Sequence, residues 1–299
     1  MIRKLMLMLC ALTLTAACAA ADTITDMHGR TIDLAEPVTR VVALTAADCE
    51  ILCALGAQDT LVGRGEYCNY PEDILDRPVV QSGANTNVEE ILALQPQVLL
   101  MNDMAQDPEQ IEQLERSGVR VVVSDATDIE GVYTAIRMIG QLTGRDAQAE
   151  ALVADMQAAF ADIAARCGQT GKTVYFEVSP LQYGLWTAGS GTFMDELADI
   201  CGLTNAFADV QGWAQISEEQ VLARDPDIIV TNAMAWSDGP TPVEEIMSRE
   251  GWQGLKAVQS GSVLSADPDM ISRPGPRLVD AAWQLYQFIT GEAEEVPAA

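Results

Sequence analysis

Histidine occurs once in the 299 residues, at position 28. A Ser-His-Asp hydrolase would need that single imidazole in its cleft. Instead His28 lies in "TITDMHGRTIDL", a short alternating segment that reads as a hairpin turning at His28-Gly29 and gives the histidine a structural place. Cations are scarce as well: 17 Lys and Arg face 44 Asp and Glu, a formal net charge of −27. Such a surface repels phosphate backbones, which argues against nucleic acid as a partner. No glycine loop with a phosphate-binding lysine occurs. "GSG" at 189–191 lacks the first glycine of a nucleophile elbow, because Ala188 stands in its place. These absences lead away from an enzyme. Low-complexity stretches are also missing, and 48% of the residues are apolar, so the chain is globular and long enough to bury two modest cores.

Long hydrophobic runs are confined to the start. Arg3 and Lys4 precede "LMLMLCALTLTAA", an apolar run too short for an ordinary membrane span but suited to an export signal over residues 1–21. Small residues lead into Cys18 in "LTAAC", the arrangement that a lipoprotein signal peptidase cleaves to leave a diacylated cysteine. Thr15 stands where leucine is usual, and cleavage after residues 19–21 is the rival. Acyl chains on Cys18 would hold the chain to the outer face of the cytoplasmic membrane; the rival would leave it periplasmic. Five cysteines follow: Cys49, Cys53, Cys68, Cys167 and Cys201. An odd number cannot pair completely. Cys49 and Cys53 are spaced to share a helix face, with Cys68 downstream. A soft-metal site, a buried thiol or a disulfide to Cys68 are the readings, the last two favoured for want of another ligand nearby.

What is present is a regular alternation. Aliphatic runs such as "RVVAL", "QVLLMN" and "VRVVVSD" alternate with helical patterns such as "AADCEILCALG" and "DIEGVYTAIRMIGQLTG". That pattern specifies an α/β fold with mainly parallel sheets covered on both faces. "RDAQAEALVADMQAAFADIAARCG" then runs 23 residues before its terminal glycine, about 35 Å as one helix and suited to joining two lobes. After it the alternation restarts with "KTVYFEVS". The expected organisation is an N-terminal lobe over 22–143, a connecting helix over 144–168, a C-terminal lobe over 169–291 and a frayed tail over 292–299.

One phrase is written twice. "NVEEILALQPQVLLMN" (87–102) and "SEEQVLARDPDIIVTN" (217–232) align at an offset of 130 with five of sixteen positions identical. Each opens on an N-cap, Asn87 or Ser217, with Glu90 or Gln220 placed to complete a capping box. Each carries a glutamate at its third place, Glu89 and Glu219. Either alone is accounted for by the helix dipole, at roughly 0.3–1 kcal/mol. The matched pair suggests two lobes gripping one partner through arginine sockets.

These residues carry a family resemblance. The chain resembles the substrate-binding proteins of bacterial ABC importers for ferric siderophores, haem and cobalamin, the cobalamin members in particular. The similarity extends from "RVVALTAADCEILCALGA" to the last helix and is most specific in "WAQISEEQVLARDP". It implies two α/β lobes joined by a single long helix, with a metal-chelate ligand in the cleft between them and no resident cofactor. It implies delivery by a monomer to a permease and its ATPase, with Glu89 and Glu219 as docking residues. The ligand set it implies is Tyr67 in "GEYCNYP", Trp186 in "YGLWTAG", Trp213 in "GWAQIS", and the pair Asp269 and Arg273 in "DMISRPGPR". Aromatic faces suit large flat chelates, and the planar fork of an arginine suits phosphate, carboxylate or amide oxygens. Tyr183 and Trp236 are weaker candidates, from their place in loops. Where the cobalamin members have an aromatic six places before the first docking glutamate, this chain has Gly83, which implies a more open cleft on that side. Cobalamin or a related corrinoid is the expected cargo. A ferric siderophore, with Arg64 as a second cation, or haem, with Tyr67 as iron ligand, is the alternative.

Overall fold

The N-terminal hairpin forms as the alternation requires. A computed structural model describes residues 22–83, 86–103, 107–234 and 239–292. Strands β1 (Asp22–Thr25) and β2 (Thr31–Leu34) pair antiparallel, with Gly29 at a φ of 76° in the turn. The hairpin is tied to the first lobe by Asp26, whose carboxylate accepts from the Val123 N–H at 3.1 Å and from Arg30 Nε at 2.8 Å.

The first lobe comprises β3 (Val41–Ala43), α1 (Ala46–Ala54), β4 (Leu61–Gly65), β5 (Val79–Val80), α2 (Val88–Ala93), β6 (Val98–Met101), α3 (Pro108–Arg116), β7 (Arg120–Val123) and α4 (Ile129–Thr143). Its five strands are all parallel, in the order β5-β4-β3-β6-β7. Every residue of β3 and β6 is buried, as expected of strands covered on both faces.

Helix α5 (Asp146–Cys167) has 22 residues, about 33 Å of rise. Its buried stripe is Ala149, Val153, Met156, Phe160 and Ile163, spaced four and three apart. That stripe packs on α4 of the first lobe and on α6 (Phe193–Ile200) and α11 (Leu278–Thr290) of the second. The second lobe continues through β8 (Thr173–Ser179), β9 (Trp186–Ala188), β10 (Thr204–Asn205), β11 (Trp213–Gln215), α7 (Glu218–Arg224), β12 (Ile228–Thr231), α8 (Pro242–Ser248), α9 (Lys256–Ser260), β13 (Val263–Ser265), α10 (Pro268–Ile271) and α11 (Leu278–Thr290). Its sheet is mixed: β10, β12 and β13 run parallel to β8 or to one another, whereas β9 and β11 are antiparallel. One apolar cluster runs from Leu52 and Ile136 in the first lobe through Phe160 in α5 to Leu197 and Leu285 in the second. The lobes therefore share a continuous core around the connecting helix.

The repeated phrase is a structural repeat. Strand β6 starts and ends 130 residues before β12, and α2 begins 130 before α7. Both helices end on a non-glycine residue with positive φ, Gln95 (51°) and Asp225 (44°), again 130 apart and each just before a proline. The caps differ. Ser217 and Gln220 form a complete, reciprocal capping box, while at α2 the cap is the single bond from the Glu90 N–H to the Asn87 side chain.

At the start of α1 the carboxyl of Asp48 is fully buried: the Thr45 hydroxyl donates to Oδ2 at 2.5 Å and the Ser124 hydroxyl lies nearby, while Oδ1 has no hydrogen-bond partner among the described residues. Burial raises its pKa to about 6 against the lowering effect of those two hydroxyls. Between the unfolded value near 4 and about 6 the folded chain retains a proton that the unfolded chain has lost. Stability is therefore fullest below that window and falls as pH rises through it, by about 3 kcal/mol for two units. Asp48→Asn removes the titration. Its melting temperature should exceed the parent's by several degrees at pH 8 and match it near pH 4, as read by thermal unfolding at both pH values.

Candidate functional site

Loops at the carboxyl ends of parallel strands are where ligands bind in α/β sheets. After β4 the chain carries Tyr67, Asn69 and Tyr70; after β13 it carries Asp269, Arg273 and Arg277. The structure brings these two loops into direct contact across the lobes. Arg273 Nη1 donates to Asn69 Oδ1 at 2.8 Å and to Glu50 Oε1 at 2.9 Å. Its Nη2 donates to the Tyr67 carbonyl at 3.2 Å and to Asp269 Oδ1 at 2.5 Å. Asn69 Nδ2 donates to the other Asp269 oxygen at 2.8 Å. Arg277 donates to both oxygens of Glu50, at 2.9 and 2.6 Å, and lies 4.2 Å over the Tyr70 ring.

Of the five residues expected to touch a ligand, three thus form one group: Tyr67, Asp269 and Arg273. Tyr67 is 71% exposed, an aromatic at a rim rather than in a core. Both terminal nitrogens of Arg273 are held by protein acceptors, so a ligand would reach this guanidinium by exchanging with Asn69 or the Tyr67 carbonyl. Sequence reasoning missed Glu50, Asn69 and Arg277. The available signal was an acid inside an otherwise apolar helical run, "CEILC", since Glu50 is 4% exposed there. Arg64, considered as a second cation for an anionic chelate, is buried instead and donates to the Cys68 and Leu75 carbonyls. It shapes the loop and presents no charge to a cleft.

The other two, Trp186 and Trp213, form a second group. Trp186 faces Gln215 and Trp213 faces Ala188 in the antiparallel β9–β11 register, which puts both indoles on one face of the sheet. Each is 39% exposed. Phe193 supports Trp213 from below, with ring centroids 5.4 Å apart. The same Phe193 donates its N–H to the Thr127 carbonyl of the first lobe at 2.8 Å, a further bond between the lobes. At the carboxyl ends of β8 and β12 a cavity of about 760 Å³ is lined by Tyr183, Met234, Pro240, Glu177 and Glu245, and by none of the five expected ligand residues. Glu177 is buried, and desolvation raises its pKa against the bidentate pairing with Arg249 at 2.8 and 3.1 Å. Trp236 and Cys18 lie outside the described residues.

Glu89 and Glu219 are exposed in the first turns of α2 and α7. Hydrogen bonding with Ser217 and with its own N–H holds the Glu219 carboxyl below the usual range, while the cap itself is made by Ser217 and Gln220. At Gly83, where the aromatic of the cobalamin members is missing, an added Cβ would meet nothing within 4 Å, and the φ of 67° suits glycine. Among the described residues one trio could hold a metal: His28, Asp103 and Asp125, with ligand atoms within 4.8 Å of one another. The sulfurs of Cys49, Cys53 and Cys68 form no such group. No helix among the described residues is long and apolar enough to cross a membrane.

Comparison with known proteins places this architecture. The sequence model of a family described as periplasmic binding protein matches residues 41–270. An ABC transporter substrate-binding lipoprotein of Bacillus subtilis is 32% identical over 275 residues, covering 89% of this chain and 85% of its own. A cobalamin-binding protein of Halobacterium salinarum is 29% identical over 273 residues, covering 88% and 73%. Among solved structures, a periplasmic haem-binding protein from Pseudomonas aeruginosa superposes with a TM-score of 0.76 at 25% identity, covering 87% of this chain and 95% of its own.

Proposed function

Since the chain belongs to the periplasmic binding protein family and is a substrate-binding protein of the ABC transporter class, we propose that its cargo is cobalamin or a related corrinoid. The chain captures it between the lobes and delivers it, as a monomer, to a permease whose ATPase drives import. Family members of this kind are not enzymes and act outside the cytoplasm. The observation that carries the reading is the pair of half-exposed indoles, Trp186 and Trp213, on one face of adjacent strands. Two coplanar-capable rings offer a large flat macrocycle a broad apolar contact, and Tyr67 offers a third ring from the other lobe. Asp269 and Arg273 supply the polar contacts that orient it. The cobalamin-binding relative supports the same cargo. The word lipoprotein in the name of the Bacillus relative supports an anchor at Cys18.

Titration with cyanocobalamin, haemin and a ferric hydroxamate siderophore tests the assignment. Saturable binding of the corrinoid alone is the expected result. Binding of haemin or the siderophore instead transfers the assignment to the other members of the importer class. Trp186→Ala and Trp213→Ala should each weaken corrinoid binding by roughly ten- to a hundredfold, which corresponds to withdrawing about 1.5–3 kcal/mol of aromatic contact. Circular dichroism of both variants should be unchanged, because the side chains are already half in solvent.

A further inference from the structure

Five cysteines resolve into two close pairs and one remainder. Cys49 in α1 and Cys68 in the loop after β4 are both buried, and their sulfurs lie 3.8 and 3.9 Å from one acceptor, the Ala43 carbonyl. The two thiols thus meet at one carbonyl oxygen, and Cys68 is the largest influence on Cys49, whose pKa it raises. Cys167 closes α5, and Cys201 is the C-cap of α6. The chain segments that follow them touch: a Cβ built on Gly202 would sit 1.8 Å from the Gly168 carbonyl oxygen, and Thr170 donates to the Gly202 carbonyl at 3.0 Å from N and 2.7 Å from Oγ1. The Cys201 thiol donates to the Ala282 carbonyl at 3.5 Å, and Cys167 and Cys201 are each the largest influence on the other's titration. Cys53 is left over, half-buried, with no cysteine hydrogen-bonded to it.

We propose that the exported chain carries two disulfides, Cys49–Cys68 in the first lobe and Cys167–Cys201 at the junction of the connecting helix with the second, and a single free thiol at Cys53. Outside the cytoplasm thiols that meet are oxidised. The oxidant is a disulfide-bearing thiol oxidoreductase or small-molecule disulfide. A cysteine thiolate attacks one sulfur of the donor disulfide, forming a mixed disulfide and releasing one donor thiol. The partner cysteine then displaces the second donor thiol. Two electrons pass from each cysteine pair to the donor, and the two protons end on the donor's thiols. In the second pair Cys167 is the attacking group, since its hydrogen bond with Cys201 lowers its pKa and it is the more exposed of the two. Cys53 stays out of exchange, because burial and then the carboxylates of Asp73 and Glu50 push its thiol up to about 11.

The placement gives each bond a consequence. Cys68 lies between Tyr67 and Asn69, so its bond to α1 fixes the rim loop that meets Arg273. The Cys167–Cys201 bond fastens the end of the helix that joins the lobes and stiffens the hinge.

Export of the full chain, denaturation without reductant and alkylation with iodoacetamide provide the test, with intact mass and peptide mapping as readout. In the chain processed at Cys18 or after residues 19–21, the expected result is one alkylated residue among these five, at Cys53, and five after reduction. The oxidised polypeptide should be about 4 Da lighter than the reduced one, the mass of four hydrogens. Cys49→Ser should add Cys68 alone to the alkylated Cys53, and Cys167→Ser should add Cys201 alone to it. Because alkylation is done on denatured chain, the result does not depend on the variants folding. Cys53→Ser should leave both bonds in place. Five alkylated cysteines before reduction, or a mapped bond that includes Cys53, would overturn the proposal. Binding of cargo by an unoxidised chain would leave the function above standing while removing the disulfides.

Discussion

Reversal of the two charges that we propose for docking, Glu89→Lys with Glu219→Lys, should reduce uptake of bound cargo to background while leaving the dissociation constant within about twofold. The two carboxylates are exposed and stand at equivalent positions of a unit repeated at an offset of 130. The repeat extends to backbone detail, down to the left-handed residues Gln95 and Asp225 that end each helix. Side chains at equivalent places on two lobes suit a partner that straddles both. Each carboxylate against an arginine socket supplies a charge-assisted bond, and a lysine in its place turns attraction into repulsion. The reversal costs little in folding, roughly 0.3–1 kcal/mol per helix start from the dipole. A transport assay in a strain lacking the native binding protein, beside a binding titration of the purified variant, separates the two effects. Each single reversal should leave partial uptake. Uptake at the parent rate in the double variant, or a collapse of affinity, would remove these residues from docking.

Much of this was open to a reader of the sequence, for physical reasons that also set the boundary. Strands β6 and β12 are continuous aliphatic runs because both of their faces are covered, and the connecting helix declares itself by length and by a stripe that recurs every three or four residues. Strands β9, β10 and β11 gave no such signal. They are two or three residues long, and β9 and β11 hold Trp186 and Trp213 in partly open positions where hydrophobic alternation has nothing to mark. The two tryptophans were recognisable through family resemblance, but their common face follows only from the antiparallel register. The contacts of Glu50 with Arg273 and Arg277 join residues 223 and 227 apart, and no local pattern encodes such a meeting. The cysteines show the same boundary: their odd number was evident, while their pairing depends on where α1 meets the β4 loop and where α5 meets α6.

Glu50→Ala should lower stability by about 3–5 kcal/mol, the cost of leaving a buried charge cluster without one partner. For a chain of this size that corresponds to a fall in melting temperature of roughly 10 °C. The Glu50 side chain is 2% exposed, and those of Arg273 and Arg277 are 13% and 12% exposed. Without the carboxylate the two guanidiniums would face each other with Asp269, which Arg273 already holds at 2.5 Å, and the neighbouring carboxylates of Asp267 and Asp280, neither of which forms an ion pair with them. Solvent must then enter or the loops must part. Because α1 belongs to the first lobe and both arginines to the second, the parting would occur between the lobes, and amide exchange should rise in residues 66–70 and 269–277 before it rises in β6 or β12. Glu50→Gln keeps the shape but not the charge, and should lose most of the same stability. Replacing all three groups together by apolar residues of similar volume should restore it, since removal of a whole buried ionic cluster abolishes its desolvation cost along with its attraction. That triple variant would still lack Arg273. It should therefore be stable and bind cargo poorly, whereas parent-like affinity in it would place the ligand's polar contacts elsewhere.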